Sequence, residues 1–482
     1  MKKSILKLLE SKIKGEVHNE KYFRNFYSVD SSSYQLIPQI VVIPIDEEDI
    51  IKTIKIANKY KTSVTVRGAG TGLVGSALNH GIIIDMKKIN FVKINKKSAV
   101  VGSGILKGKL DIELQKKGKF FPPNPSIGNF CSLGGMLGNN SSGSRSVKYG
   151  STIDNVKEVT FIDGKGKKIQ LPKNKKIGKK IFQNILIDDN KIPKTSKNSS
   201  GYQIKKVTSV KEAHKIIIGS EGTLGIIISA KLNILETPKR RILFIIGYNS
   251  IFQAAKDSQK IIKTNPSTLE FVDKNTLKNI NLKFKKSTQC LLFVEYDENF
   301  TKSENELKSM ICGTIIQRLK SKIDMETWWR HRDSSLHYSL KSIKKELRIP
   351  HIIEDAAVPI DKIPNMFSKL KKIERKYNVK TIIYGHIGNG NIHVRLISKR
   401  RNKKLIKDIA TEYFNEVIIN NGTISAEHGD GLARSEFIKK QYGQKNYHTF
   451  EKIKKILDPN GILNPGKKIT KKSTIIKNLE KY

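Results

Sequence analysis

Residues 64–75 read Val-Thr-Val-Arg-Gly-Ala-Gly-Thr-Gly-Leu-Val-Gly, and no other stretch constrains the fold as much. A strand enters a loop with glycines at 68, 70, 72 and 75. Glycine lets successive backbone N–H groups turn toward one point and lets a phosphate approach closely. Thr71 and Arg67 add a hydroxyl and a positive charge. The spacing Gly70, Gly72, Gly75 also matches a dinucleotide fingerprint, but that motif needs a helix directly after the loop. Ala77–Asp85 reads instead as loop and then a short buried strand, Gly81–Asp85. An open, doubly wound parallel sheet is therefore disfavoured.

Two more glycine-rich stretches follow. Residues 121–150 contain Pro122-Pro123-Asn124-Pro125-Ser126, then Cys131-Ser132-Leu133-Gly134-Gly135-Met136-Leu137-Gly138-Asn139-Asn140-Ser141-Ser142-Gly143, then Lys148-Tyr149-Gly150. Residues 219–226 read Gly-Ser-Glu-Gly-Thr-Leu-Gly-Ile. Small hydroxyl, amide and glycine residues suit a backbone that lines a long, flat ligand bearing polyphosphate. Three such loops in one half imply a ligand larger than a single phosphate.

In order and spacing, RGxGTGLxG, PPxPS…GGxxxNxxSG…KYG and GSEGTLGI resemble the flavin domain of the vanillyl-alcohol-oxidase-type (PCMH-type) FAD enzymes, over about residues 36–237. The resemblance implies an α+β fold that binds FAD non-covalently. It places Arg67, Gly68, Ala69, Gly70, Thr71 and Gly72 on the pyrophosphate. Pro123, Ser126, Ser132, Gly134, Gly135, Asn139, Ser142, Gly143, Tyr149 and Gly150 would run along the cofactor. Glu221, Gly222 and Ile226 would lie near its other end, with Asn464 contributed by the closing segment. No histidine sits at the glycine loop, so covalent attachment is not expected; His80 and Cys131 are read as structural.

The second half carries a different chemistry. Residues 384–395 read Tyr-Gly-His-Ile-Gly-Asn-Gly-Asn-Ile-His-Val-Arg. Their glycines and asparagines disfavour a helix, and the flanking apolar residues predict strand, Asn-Gly turn, strand. Such a hairpin can bring His386 and His393 together. Residues 422–434 place Glu427 and His428 beside flexible glycines. Two histidines and one carboxylate are the ligand set of an open site for zinc or a similar divalent ion.

GHxGxGNxH, SAEHGDGxxRS and the closing Asp458–Lys467 stretch resemble the C-terminal domain of FAD-linked D-lactate, glycolate and D-2-hydroxyglutarate dehydrogenases. One departure is Asn389, where that pattern usually carries Asp. The resemblance implies His386, His393 and Glu427 as metal ligands, zinc by ligand type, and His428 as the base. In Trp328-Trp329-Arg330-His331-Arg332, Arg332 resembles the family's carboxylate-binding arginine; Arg330 is a rival. The implied reaction is oxidation of a small D-2-hydroxy acid to the 2-oxo acid. The hydroxyl proton would go to His428 and the α-hydride to the flavin. Because the chain closes soon after the Asn-Pro-Gly-Lys motif, electrons are expected to leave to a separate acceptor: a quinone, an electron-transfer flavoprotein or an iron–sulfur subunit.

The expected organisation is an FAD-binding domain over 1–237, an α+β substrate and metal (cap) domain with an antiparallel sheet over 238–440, and a segment 441–482 returning to the FAD domain. Strands are predicted at 241–248 and 290–296, and helices at 49–60, 251–263 and 304–320, with the sheet covered on one face. Lys165–Lys197 reads as a surface insertion and Lys173–Lys180 as a charged loop. The N-terminus reads as an amphipathic helix without the apolar run of a signal peptide. The three cysteines lie far apart, which excludes a disulfide framework or an iron–sulfur cluster held by this chain and fits a reducing, cytoplasmic setting. The formal net charge of +46 is spread along the chain without a nucleic-acid motif, so it is read as a solvated lysine surface, compatible with docking on an anionic membrane. Three readings compete: an oxygen-using flavin oxidase of another alcohol or lactone, a basic nucleic-acid-binding protein, and a metal-dependent hydrolase, which would leave the glycine loops unexplained.

Overall fold

The computed structural model describes residues 2–277, 284–298, 300–341, 350–398 and 402–479. Two sheets carry the first half. In one, Ile40–Ile43, Ile82–Asp85 and Val64–Arg67 run parallel, and Glu16–His18 adds an antiparallel edge. Ile40–Ile43 and Ile82–Asp85 are buried at every residue, as continuous apolar runs in a covered parallel sheet should be. The helix Glu47–Lys59 packs on this sheet. Asp46 Oδ1 accepts the Asp49 N–H at 3.0 Å, acids fill the first turn, and Ile50, Ile54 and Ala57 form the buried stripe. The second sheet is antiparallel, in the order Val92–Ile94, Ser98–Gly102, Ile226–Asn233, Val156–Ile162, Lys168–Leu171. The helix Leu133–Asn139 lies in the core beneath it.

The second half is built on a seven-stranded antiparallel sheet. Its order is Thr314–Leu319, Ile242–Tyr248, Cys290–Tyr296, Thr268–Asp273, Lys380–Gly385, Asn391–Ile397, Ala356–Ala357. The fold is thus α+β with an antiparallel second sheet, as expected. Covering on one face only is corrected. Ile242, Phe244 and Ile246 pack toward the helices Ile251–Ile261 and Ile363–Tyr377, while Leu243 and Ile245 pack the other way against Met325, Trp328 and Trp329.

Two local expectations also change. Glu304–Lys320 is not one helix: Phe300–Met310 is helical and Thr314–Leu319 is the edge strand. Gly313 separates them, and Thr314, Ile315 and Ile316 are β-branched. Within Lys173–Lys180, Lys175 onward belongs to the helix Lys175–Gln183, capped by Asn174 and anchored by buried Ile181. The helix Ile438–Leu457 returns to the first half, where Tyr442, Phe450 and Ile453 join its core. Leu463 then bridges to Val64.

Candidate active site

The glycine loops leave the ends of strands in the first half, and the histidine hairpin leaves the second sheet. Both meet at one cavity of about 380 Å³. Gly68, Ala69, Gly70, Thr71 and Gly72 line it with Ser126, Ser132, Gly134, Gly135, Asn139, Ser142, Glu221 and Gly222. From the second half come Arg332, His386, His393, Glu427 and His428. The loops approach so closely that a Cβ on Gly68 would stand 2.1 Å from Ser132 Oγ, and one on Gly134 would stand 2.8 Å from the Ser103 carbonyl oxygen. Ser132 Oγ accepts the Gly135 N–H at 3.1 Å. Ser103, also on the cavity wall, has a buried hydroxyl with no partner among the described residues. A groove of glycine, serine and apolar side chains with an unsatisfied hydroxyl fits a long ligand that combines phosphates with a flat ring.

Several residues expected on the cofactor stand behind this wall instead. Arg67 is tucked under its own loop: Nη1 donates to the Val29 carbonyl at 2.8 Å, and the guanidinium lies 5.2 Å from the Tyr27 ring centre. It braces Gly70, which sits at φ +72°, so the backbone rather than a cation faces the groove. Asn464 is also a brace, donating to the Ser76 and Glu221 carbonyls and accepting from Thr65 Oγ1. Tyr149 donates its hydroxyl to Asp297 of the second half. Gly143 gives its N–H to Glu427 at 2.9 Å. Pro123, Gly150 and Ile226 likewise lie off the cavity, Ile226 within a core cluster. Glu221 lines the cavity while its carboxylate accepts the Asp430 and Gly431 N–H groups.

The predicted hairpin forms. Lys380–Gly385 pairs with Asn391–Ile397, and Tyr384 stands opposite His393. Asn389 shapes the turn by accepting from Ser146 Oγ and donating to Ser196 Oγ. Three imidazole Nε2 atoms converge on Glu427 Oε1: His386 at 2.9 Å, His393 at 3.3 Å and His428 at 3.8 Å. The remote nitrogens are all held from outside. His386 Nδ1 meets Glu270 Oε1 at 2.5 Å, His393 Nδ1 donates to the Glu354 carbonyl at 3.1 Å, and His428 Nδ1 meets Glu354 Oε1 at 2.5 Å. Fixing Nδ1 so that Nε2 points to a common centre is how proteins orient metal-binding histidines. The donor set therefore fits a divalent cation. Asp355 also lies near this cluster. Its Oδ2 is taken by the N–H groups of Glu427 and His428 and by Ser425 Oγ, so it pins the loop.

Four fully or nearly buried carboxylates (Glu270, Glu354, Asp355, Glu427) share this region with the buried cations Lys197, Arg332, Arg395 and Arg434. Burying so many charges is tolerable only when each is paired. Burial pushes the Glu427 carboxyl up, but Lys197 and His386 outweigh it and hold it well below the usual carboxylate range. Burial likewise opposes Glu270, which His386 and Arg332 bring down to about 2. Burial lowers His393. It also works against His428, yet Glu354 and Asp355 push that ring up to about 9. A cation held by His386, His393 and Glu427 would disfavour a second positive charge on the neighbouring His428 ring and so return it toward its neutral form.

Residues 38–171 match the model of an FAD binding domain, and residues 237–468 match the C-terminal domain of FAD linked oxidases. The chain belongs to the FAD-linked oxidases. It is an FAD-dependent oxidoreductase. It is 28% identical to the glycolate oxidase subunit GlcD of Bacillus subtilis, over 93% of each chain. It is 28% identical to a D-lactate dehydrogenase of Anaerostipes hadrus, over 89% of each. Identity is also 28% to a D-2-hydroxyglutarate dehydrogenase of Haemophilus influenzae, but there 91% of this chain spans only 49% of the relative. Among solved structures, alkyldihydroxyacetonephosphate synthase superposes with a TM-score of 0.70 at 17% identity, over 96% of this chain and 85% of that one, which shows the shared fold.

This FAD-linked oxidase also uses residues that motif reading missed. Lys197 emerges from the presumed surface insertion with 1% exposure and donates to Glu427 Oε2 at 2.9 Å, alongside Ser142 Oγ at 2.5 Å. Glu270 ties His386 to Arg332, whose guanidinium it also binds. Arg332 is buried and on the cavity wall, whereas Arg330 is exposed. The signals were present but thin: an acid inside the apolar run Thr268–Asp273, and the acid pair Glu354-Asp355 between apolar neighbours. The three cysteines are free. Among the described residues no helix is long and apolar enough to cross a membrane.

Proposed function

We propose that this flavoprotein oxidises a small D-2-hydroxy acid, of the lactate, glycolate or 2-hydroxyglutarate type, to its 2-oxo acid, with a divalent cation held by His386, His393 and Glu427. The observation that carries this reading is the shared cavity: the glycine loops and three Nε2 atoms aimed at one carboxylate face the same space. The names of the full-length relatives point to the same substrate class. FAD held along the glycine loops would supply the hydride acceptor, and a divalent cation held by His386, His393 and Glu427 would make the hydroxyl more acidic. His428 takes the hydroxyl proton at Nε2, since Glu354 occupies its Nδ1. Arg332 orients the substrate carboxylate from the cavity wall, with Glu270 and Asp333 fixing its plane. Ser142, Gly143 N–H and Lys197 keep Glu427 in place. Electrons then pass to a separate acceptor.

Dye-linked turnover with glycolate, D-lactate and D-2-hydroxyglutarate tests this. Activity with at least one acid, lost on chelation and restored by zinc or manganese, is the expected result. Activity indifferent to both treatments argues against the cation, and a colourless protein that releases no flavin argues against the whole reading.

A further inference from the structure

Arg395 lies two residues beyond His393 on the strand Asn391–Ile397, so both side chains leave the same face of the sheet. It is 6% exposed and lines the catalytic cavity together with Arg332 and Tyr384. Its pairing within the protein is poor. Nε donates to the Tyr384 hydroxyl at 3.3 Å, the Glu354 carboxylate stands 3.9 Å from Nη2, and Nη1 has no hydrogen-bond partner among the described residues. The other two buried arginines of the region differ. Arg332 binds Glu270 and Asp333. Arg434 donates to two backbone carbonyls and lies 3.2 Å from Glu354. Both Arg434 and His428 hold Glu354 through Oε1, while its Oε2, 3.9 Å from Arg395 Nη2, makes no hydrogen bond among the described residues.

A buried guanidinium without a hydrogen-bonded anion is costly, and its planar fork suits a carboxylate. We infer that Arg395 receives a second acidic group of the substrate, so that the preferred substrate is a 2-hydroxy acid carrying two carboxylates. This rests on the 2-hydroxy-acid reading above and narrows it. Arg332 takes the carboxylate beside the hydroxyl and Arg395 the distal one, with Tyr384 close to both.

The test compares kcat/KM for D-lactate with that for D-malate and D-2-hydroxyglutarate. The wild-type protein should favour a diacid by about 30-fold or more, the scale of one buried charge contact. Arg395→Met should bring the diacid-to-monoacid ratio below about threefold, and Arg395→Lys should recover part of it. Flavin content reports whether each variant is folded. Independently of any variant, 2-oxoglutarate or oxaloacetate should inhibit wild-type turnover at about tenfold lower concentration than pyruvate. A ratio unchanged by Arg395→Met, or a wild-type preference for D-lactate, overturns the assignment and leaves the 2-hydroxy-acid reading standing. No turnover with any of the acids, in protein that holds flavin, overturns both.

Discussion

Glu270 offers the sharpest perturbation, because one buried carboxylate serves two functional groups. One oxygen holds His386 Nδ1 at 2.5 Å and the other binds Arg332. Glu270→Gln keeps the shape and removes the charge. Two unit charges about 4 Å apart attract by about 4 kcal/mol at an effective dielectric of about 20. Neutralising one side of a buried pair costs about 3–5 kcal/mol in other proteins. Here Asp333 still pairs with Arg332, so the lower end of that range applies. For a chain of 482 residues the unfolding entropy is about 1 kcal/mol per kelvin, so the melting temperature should fall by about 3 °C. Loss of the carboxylate behind His386 should weaken zinc binding by about 10–100-fold. Thermal melts and zinc titration against a competing chelator read the two effects separately. Adding Arg332→Met to Glu270→Gln should recover part of the lost stability, because the stranded charge is gone. A single variant that melts within about 1 °C of wild type and binds zinc as tightly would refute this role for Glu270.

Two further outcomes follow from named groups. His428→Ala should retain flavin yet lower turnover by about 100-fold or more; unchanged turnover would remove His428 as the base. Burial pushes Asp273 up to about 6, against hydrogen bonds from the Thr276 and Ile383 N–H groups. Its folded value lies above the ordinary 3.8, so its contribution is full below that pH and is lost as pH rises through about 6. Urea unfolding should show the advantage of wild type over Asp273→Asn shrinking by about 2.5 kcal/mol between about pH 4 and about pH 7.5, and parallel pH profiles would contradict it.

What the sequence made legible were features written in consecutive residues. The glycine loops, the 384–395 hairpin and the 427–428 pair are contiguous, and each carries its turn chemistry with it. Residues that act across long separations were not legible. Lys197 meets Glu427 across 230 positions and Glu270 meets His386 across 116. No local pattern distinguishes Lys197 from the many surface lysines around it. The direction of Arg67 was hidden for a related reason: an arginine beside glycines resembles a phosphate ligand, whereas its guanidinium here turns under its own loop to Val29 and Tyr27. Gly313 shows the same limit for secondary structure, since a single glycine divides helix from edge strand there.

We propose that the imidazoles and Glu427 act directly in front of the flavin. Anaerobic mixing of flavin-loaded, metal-replete protein with a D-2-hydroxy acid tests it in a single turnover, followed through the visible flavin band. Rapid bleaching in wild type, nearly abolished in flavin-loaded Glu427→Gln, is the predicted result. Bleaching at the same rate in both proteins would show that the cluster takes no part in reducing the flavin.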